Sequence, residues 1–170
     1  MPSNAPLAYQ HHNHQHCIDE AMAQAKSLCL SRKAQLTPLR EQVLRLIWTS
    51  HKPLGAYTLM DMLAERQTRR VAPPTVYRAL AFLQDHLFIH KIHSLNAFIG
   101  CPDPDRRHQG HFLICQRCGV AVECAAAALD QALIDTADAA GFEARQQTVE
   151  ILGCCPTCLS DSAISGDGEQ

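Results

Sequence analysis

No apolar run in this 170-residue chain reaches 18 residues, so a membrane-spanning helix is not expected. The first 16 residues hold no Lys or Arg and no apolar core, so a secretory leader is not expected either. Charged residues make up only 19% of the chain against 46% hydrophobic, a balance that argues against wholesale disorder. Nine cysteines are an odd number, which disfavours a complete disulfide framework within one chain. Metal ligation in a reducing cytoplasm is expected instead. The chain also lacks a His-Glu-x-x-His segment, and no His-x-Glu accompanies a cysteine hook. Zinc hydrolase or deaminase chemistry needs an open coordination position and a general base, so the chain is not expected to be an enzyme.

What it does have is sulfur in a pattern. Cys115-Gln-Arg-Cys118 and Cys155-Pro-Thr-Cys158 are two Cys-x-x-Cys hooks with 36 residues between them. Each hook sets two thiolates on one tight turn, and two hooks complete the four-thiolate shell of structural Zn²⁺. One hook alone could be a thioredoxin-like dithiol. The pairing, the turn-forming residues inside the hooks and Gly119 after the first favour zinc.

Charge is unevenly spread. Residues 1–95 carry 11 Lys or Arg against 6 Asp or Glu, a net of +5, whereas residues 96–170 carry 4 against 11, a net of −7. A basic half facing a polyanion and an acidic half with another task fit that split better than two solvated surfaces.

Residues 1–16 read as a His-rich flexible tail and residues 18–34 as a helix, with Ile18, Ala21, Met22, Ala25, Leu28 and Cys29 at three- and four-residue spacing. Thr37-Pro38 opens a second helix, with Thr as N-cap and Pro at the first position. Residues 52–55 read as a turn, 56–66 as a third helix, and Pro73-Pro74 opens a fourth. Two strand-like stretches, 87–93 and 97–100, follow. Compact helices followed by a hairpin are the pattern of a winged helix-turn-helix. Residues 101–110 read as a hinge with turn chemistry. Strands at 111–115 and 120–124, an Ala-rich helix at 125–140 and a strand at 142–152 make a small α/β unit. Its core is small enough that zinc and dimerisation are natural supports. Residues 160–170 read as a disordered tail. The expected fold class is α+β: an N-terminal winged-helix domain at 17–100, the hinge, and a C-terminal α/β domain at 111–159.

The second helix of a helix-turn-helix presents its first turns to the major groove. Thr75, Tyr77 and Arg78 occupy that position here. Arg78 suits a guanine edge, and Arg69 and Arg70 just before it suit phosphates. The bland alternative is a solvated basic loop beside a helix whose Tyr is core.

Further ligand-type residues gather near the domain junction: His90, His93, Cys101, His108, His111 and Glu123. A mixed N, S and O set suits Zn²⁺, and its spread across both halves would let one ion fix the angle between them. Singly, each has a bland reading, such as a wing histidine, a solvated carboxylate or a small buried thiol.

Leu36-Thr37-Pro38-Leu39-Arg40-Glu41-Gln42-Val43-Leu44, Ala56-Tyr57, Pro73-Pro74-Thr75-Val76-Tyr77-Arg78-Ala79-Leu80 and His90-Lys91, together with the paired hooks, resemble the ferric uptake regulator superfamily. The resemblance covers roughly residues 18–158 and is nearest to the zinc-sensing branch. It implies a homodimer with winged-helix DNA-binding domains and C-terminal dimerisation domains, bound to an AT-rich pseudo-palindromic operator. It implies two Zn²⁺ per subunit: a structural ion at Cys115, Cys118, Cys155 and Cys158, and a regulatory ion at His90, Cys101, His108 and Glu123. The matching DNA-contacting positions include Tyr57 and Arg78. A cysteine among the regulatory ligands favours a zinc sensor over iron sensors, whose sites use N and O.

Where the chain departs from the pattern, His111 is an additional linker candidate, expected to be a surface strand residue. Strand alternation puts His93 opposite His90. Cys155, and not Cys154, has the spacing to Cys158. Cys124 is read as packing, and Cys17 and Cys29 as helix positions. The function implied is a zinc-responsive repressor of zinc-uptake genes, with neither a membrane nor a small-molecule substrate as partner. The alternatives are an iron, manganese or peroxide sensor of the same superfamily, or a zinc buffer or metallochaperone using the His-rich tail.

Overall fold

The computed structural model describes residues 14–66, 71–106, 108 and 110–164. The chain divides into two compact units between Arg106 and Arg107. None of the described helices is long and apolar enough to cross a membrane.

The first unit runs α1 (His14–Ser31), α2 (Pro38–Ile47), β1 (Leu54–Gly55), α3 (Ala56–Arg66), α4 (Pro73–Asp85), β2 (Ile89–Ile92) and β3 (Ala97–Gly100). α1 starts four residues before the sequence reading, so His14 and His16 belong to a helix. It ends in a Schellman motif. Lys33 takes a left-handed φ of 52° while Ala34 N–H donates to Cys29 O at 2.8 Å and Lys33 N–H to Leu30 O at 3.2 Å. α2 and α4 both begin with Pro at the first helical position, after an extended residue (Thr37, Ala72) whose side chain makes no cap hydrogen bond. The proline geometry, rather than the Thr37 hydroxyl, fixes the start of α2.

Each helix buries one stripe. Val43, Leu44, Leu46 and Ile47 of α2 meet Leu59 and Leu63 of α3, and Val76, Ala79, Leu80 and Leu83 of α4. Each large aliphatic side chain buried there contributes about 1.5–3 kcal/mol. The sheet order is β1-β3-β2, antiparallel throughout, with Leu54 opposite Phe98 and His90 opposite Ile99. Residues 54–55, read as a turn, are thus a short third strand. Gly100 is required by a close approach: a Cβ there would run into the Trp48 ring, Cε2 first.

The second unit holds β4 (His111–Cys115), β5 (Ala121–Glu123), α5 (Ala127–Ala139), β6 (Val149–Gly153) and α6 (Pro156–Ile164). The sheet order is β5-β4-β6; β5 is antiparallel to β4, and β6 is parallel to it. β4 is therefore the central strand, and Phe112 and Ile114 are buried with Ala121 and Val122 of β5. α5 buries none of its residues. α6 has no counterpart in the sequence expectation: it starts at Pro156, inside the second hook, and runs to Ile164, where a disordered tail is expected from residue 160.

Candidate metal centres and nucleic-acid interface

The two hooks converge in the second unit. Cys115 ends β4, and the chain turns back so that Gly119 N–H donates to Cys115 O at 2.9 Å, Gly119 taking φ 76°. That left-handed turn is what glycine permits. Gln116 N–H donates to Gly153 O at 2.8 Å, which brings the end of β6, and with it Cys155 at the start of α6, beside the first hook. The four Sγ atoms all lie within 4.8 Å of one another. Cys118 Sγ and Cys155 Sγ are 3.8 Å apart, which equals the edge of about 3.8 Å expected for a tetrahedron with Zn–S bonds of about 2.3 Å.

The electrostatics fit a cation. The backbone N–H groups of Cys118 and Cys155 hold the Cys115 thiol down to about 5, and Cys155 N–H lies 3.3 Å from Cys115 Sγ. Cys158 is pushed well above the usual thiol range, first by its hydrogen bond to Cys155 and then by burial. One thiolate forms readily and Cys158 resists joining it; a divalent ion removes that penalty, and the donor set is the one Zn²⁺ takes in closed sites. Arg117 Nη1 donates to Cys158 O, tying the first hook to α6.

The remaining candidates fall in separate units. In the first, His90 lies on β2 opposite Ile99. Cys101, two residues past Ile99 and so on the same face, is 3% exposed and donates its N–H to Phe88 O at 3.0 Å. His93 is not on the strand: it lies in the turn after β2, with its carbonyl accepting from Asn96 N–H. Chain reversal, and not strand alternation, sets its direction. In the second unit, His108 Nε2 is 2.7 Å from Glu123 Oε1, and the Glu123 side chain is 8% exposed.

His111 departs from expectation. It is 1% exposed, on the central strand of its sheet. Its Nε2 is 2.8 Å from Asp130 Oδ1 of α5, and Gln147 Nε2 donates to the same oxygen at 2.8 Å. Three residues far apart in sequence thus join the helix to the sheet, and no local pattern signals it. Cys124 is half-buried, its Sγ 3.5 Å from His111 O and its thiol pushed up by burial, as a packing residue should be.

On the first unit, Thr75, Tyr77 and Arg78 are exposed on the outer face of α4, with Val76, Ala79 and Leu80 turned inward. Tyr57, in the first turn of α3, is 76% exposed. Its ring takes no part in the core. Arg69 and Arg70 lie outside the described residues, as do His11, His12 and the rest of residues 1–13.

Residues 31–152 match the ferric uptake regulator family. The chain belongs to that family. It is 37% identical over 145 residues to the zinc uptake regulation protein of Escherichia coli K12, covering 85% of this chain and 84% of that one. A zinc uptake regulator solved in complex with zinc and DNA superposes with TM-score 0.81 at 37% identity, over 86% of this chain and 97% of that one. The holo form of XcZur gives 0.76 at 41% identity, over 84% and 99%, and its apo form gives 0.50 at the same identity.

Proposed function

We propose that this member of the ferric uptake regulator family is a zinc-responsive repressor of zinc-uptake genes, acting in the cytoplasm as a homodimer on AT-rich pseudo-palindromic operator DNA. The observation that carries the reading is the likeness, at TM-score 0.81 and 37% identity, to a zinc uptake regulator solved with zinc and DNA. The four converging cysteines would hold a structural ion, and His90, Cys101, His108 and Glu123 a regulatory one. At the second set, zinc would supply a cross-link among N, S and O donors.

The chain's own residues do the rest. Cys101 and His90 share a face of the β2–β3 hairpin, which follows directly on α4. Tyr57, Thr75, Tyr77 and Arg78 present rings and donors to the groove, Arg78 suiting a bidentate guanine contact; Arg69 and Arg70 are assigned to phosphates. Exposed Ile134, Phe142, Ile151, Leu152 and Leu159 of the second unit, together with the open edge of β6, suit a second copy of the chain. The unequal match to the holo and apo forms of XcZur supports a metal-dependent change of shape in that relative. A coupling of about 1–3 kcal/mol per site is enough for a strong change in operator affinity.

The test is a titration of buffered free Zn²⁺ into protein that already holds its structural zinc, with binding to an AT-rich inverted-repeat promoter duplex as the readout. A steep rise with Zn²⁺ and a weaker one with Fe²⁺ or Mn²⁺ is expected; no metal-dependent rise would refute the reading. Cys101→Ser should abolish the rise while the protein stays dimeric and keeps its structural zinc. An unaltered response in that variant would remove Cys101 from the ligand set.

A further inference from the structure

Arg32, just past the end of α1, makes two bonds that the packing of the helices does not require. Its Nη1 donates to His86 O and its Nη2 to Pro104 O, each at 2.8 Å. Both acceptors sit at informative places. His86 is the C-cap of α4, in a second Schellman motif: Leu87 takes φ 62°, Phe88 N–H donates to Leu83 O at 2.8 Å, and Leu87 N–H to Gln84 O at 2.9 Å. Pro104 is buried and lies three residues past Cys101, on the segment that leads out of the first unit. Cys101 itself is held to the same corner, its N–H on Phe88 O.

A small frame results. The outgoing segment reaches the end of α4 by two routes: one through the Cys101 amide, and one through the Arg32 fork. The fork is rigid and planar, so it can fix two carbonyls at a set separation, and its charge also complements the negative end of α4. The backbone of Arg32 is itself fixed: its N–H donates to Leu28 O at 2.9 Å within the α1 Schellman turn. His86 feels the same guanidinium, its imidazole lowered by burial and then by Arg32.

We propose that Arg32 is a positioning residue of the metal response: by bridging Pro104 to the C-cap of α4, it makes the segment carrying Cys101 and the recognition helix move as one body. This rests on the functional reading above. Without the bridge, a ligand-induced constraint at Cys101 would be absorbed by the loose segment 102–106 before it reached α4.

The experiment compares full-length wild type, Arg32→Met and Arg32→Lys, all holding structural zinc. Operator-duplex affinity is measured with and without regulatory zinc, and amide hydrogen exchange at 101–106 without it. Met keeps the aliphatic stem; Lys keeps the charge at the end of α4 but offers one nitrogen where the bridge uses two in a fixed plane. Both variants should lose about tenfold of the zinc-dependent gain, a large part of a typical two-site coupling. Both should exchange faster at 101–106, with metal-free DNA affinity unchanged. Full rescue by Lys would overturn the proposal, because the planar two-nitrogen fork would then be dispensable. A wild-type gain in Arg32→Met, or an equal loss of metal-free affinity, would overturn the proposal too. If wild type itself shows no zinc response, the functional reading falls and the role of Arg32 falls with it; a responsive wild type beside an equally responsive Arg32→Met condemns the bridge alone.

Discussion

Replacing Cys118 with Ser removes one of four sulfurs that lie within 4.8 Å of one another. Serine's hydroxyl does not ionise near neutral pH, so it cannot replace the thiolate as a soft donor. Structural zinc in small domains contributes about 10–16 kcal/mol of apparent binding energy at neutral pH, so losing one of four ligands should forfeit roughly a quarter of it, about 2.5–4 kcal/mol. The second unit has little with which to absorb that loss. Besides the cysteines, its buried apolar side chains among the described residues are Phe112, Ile114, Ala121 and Val122, and α5 buries none of its residues. The hooks also carry α6, which starts at Pro156 directly after Cys155, and the Arg117 bond to Cys158 O. Cys118→Ser should therefore lower zinc content by up to one ion per subunit, remove the thermal transition of the second unit and weaken dimerisation. The first unit should keep its helical signal. Zinc analysis, differential scanning calorimetry and sedimentation read these outcomes. A Cys118→Ser protein with wild-type zinc content, the same melting profile and an intact dimer would refute the structural assignment.

Gly100→Ala places a methyl group against the Trp48 ring, at 2.6 Å from two of its atoms. It should cost about 1–3 kcal/mol as an overpacked site. Because Trp48 is the only tryptophan, a shift in intrinsic fluorescence should accompany a lower urea midpoint, and an unchanged spectrum and midpoint would show that the ring can move away freely. Glu41 is held below the usual carboxylate value of 4.5 by its bonds to Lys26 and then Arg45, at 3.1 and 3.0 Å. Its folded pKa is depressed, so the stability it adds is present above 4.5 and fades as pH falls toward the folded value. Glu41→Gln should flatten the acid limb of the stability curve below about pH 4.5, and an unchanged limb would rule out this carboxylate as a contributor.

Much of the first unit could be read in advance because its signals are local. Pro38 and Pro73-Pro74 preset the backbone angle at two helix starts, and the stripe Val76, Leu80, Leu83 repeats at the helical period. The hooks were equally legible, since a two-residue spacing brings thiolates together whatever the rest of the chain does. β1 was not legible: Leu54–Gly55 counts as a strand only because Phe98 and Ala97 lie beside it. α6 was hidden because its first residues double as the second Cys-x-x-Cys hook. His111 was misjudged because the alternation of a single strand does not say whether the strand is central or at an edge.

The sequence by itself therefore determined the winged-helix order of elements, the exposed face of α4 and which four cysteines converge, because each follows from steric or spacing rules that act within a few residues. Only the tertiary structure decided that β4 lies between an antiparallel and a parallel neighbour, that His111 is sealed beneath Asp130, and that Arg32 spans His86 and Pro104. Those outcomes depend on which distant segments pack together. That choice is made by the burial of the whole apolar surface and by the need to satisfy every buried polar group, and no short window of sequence contains it.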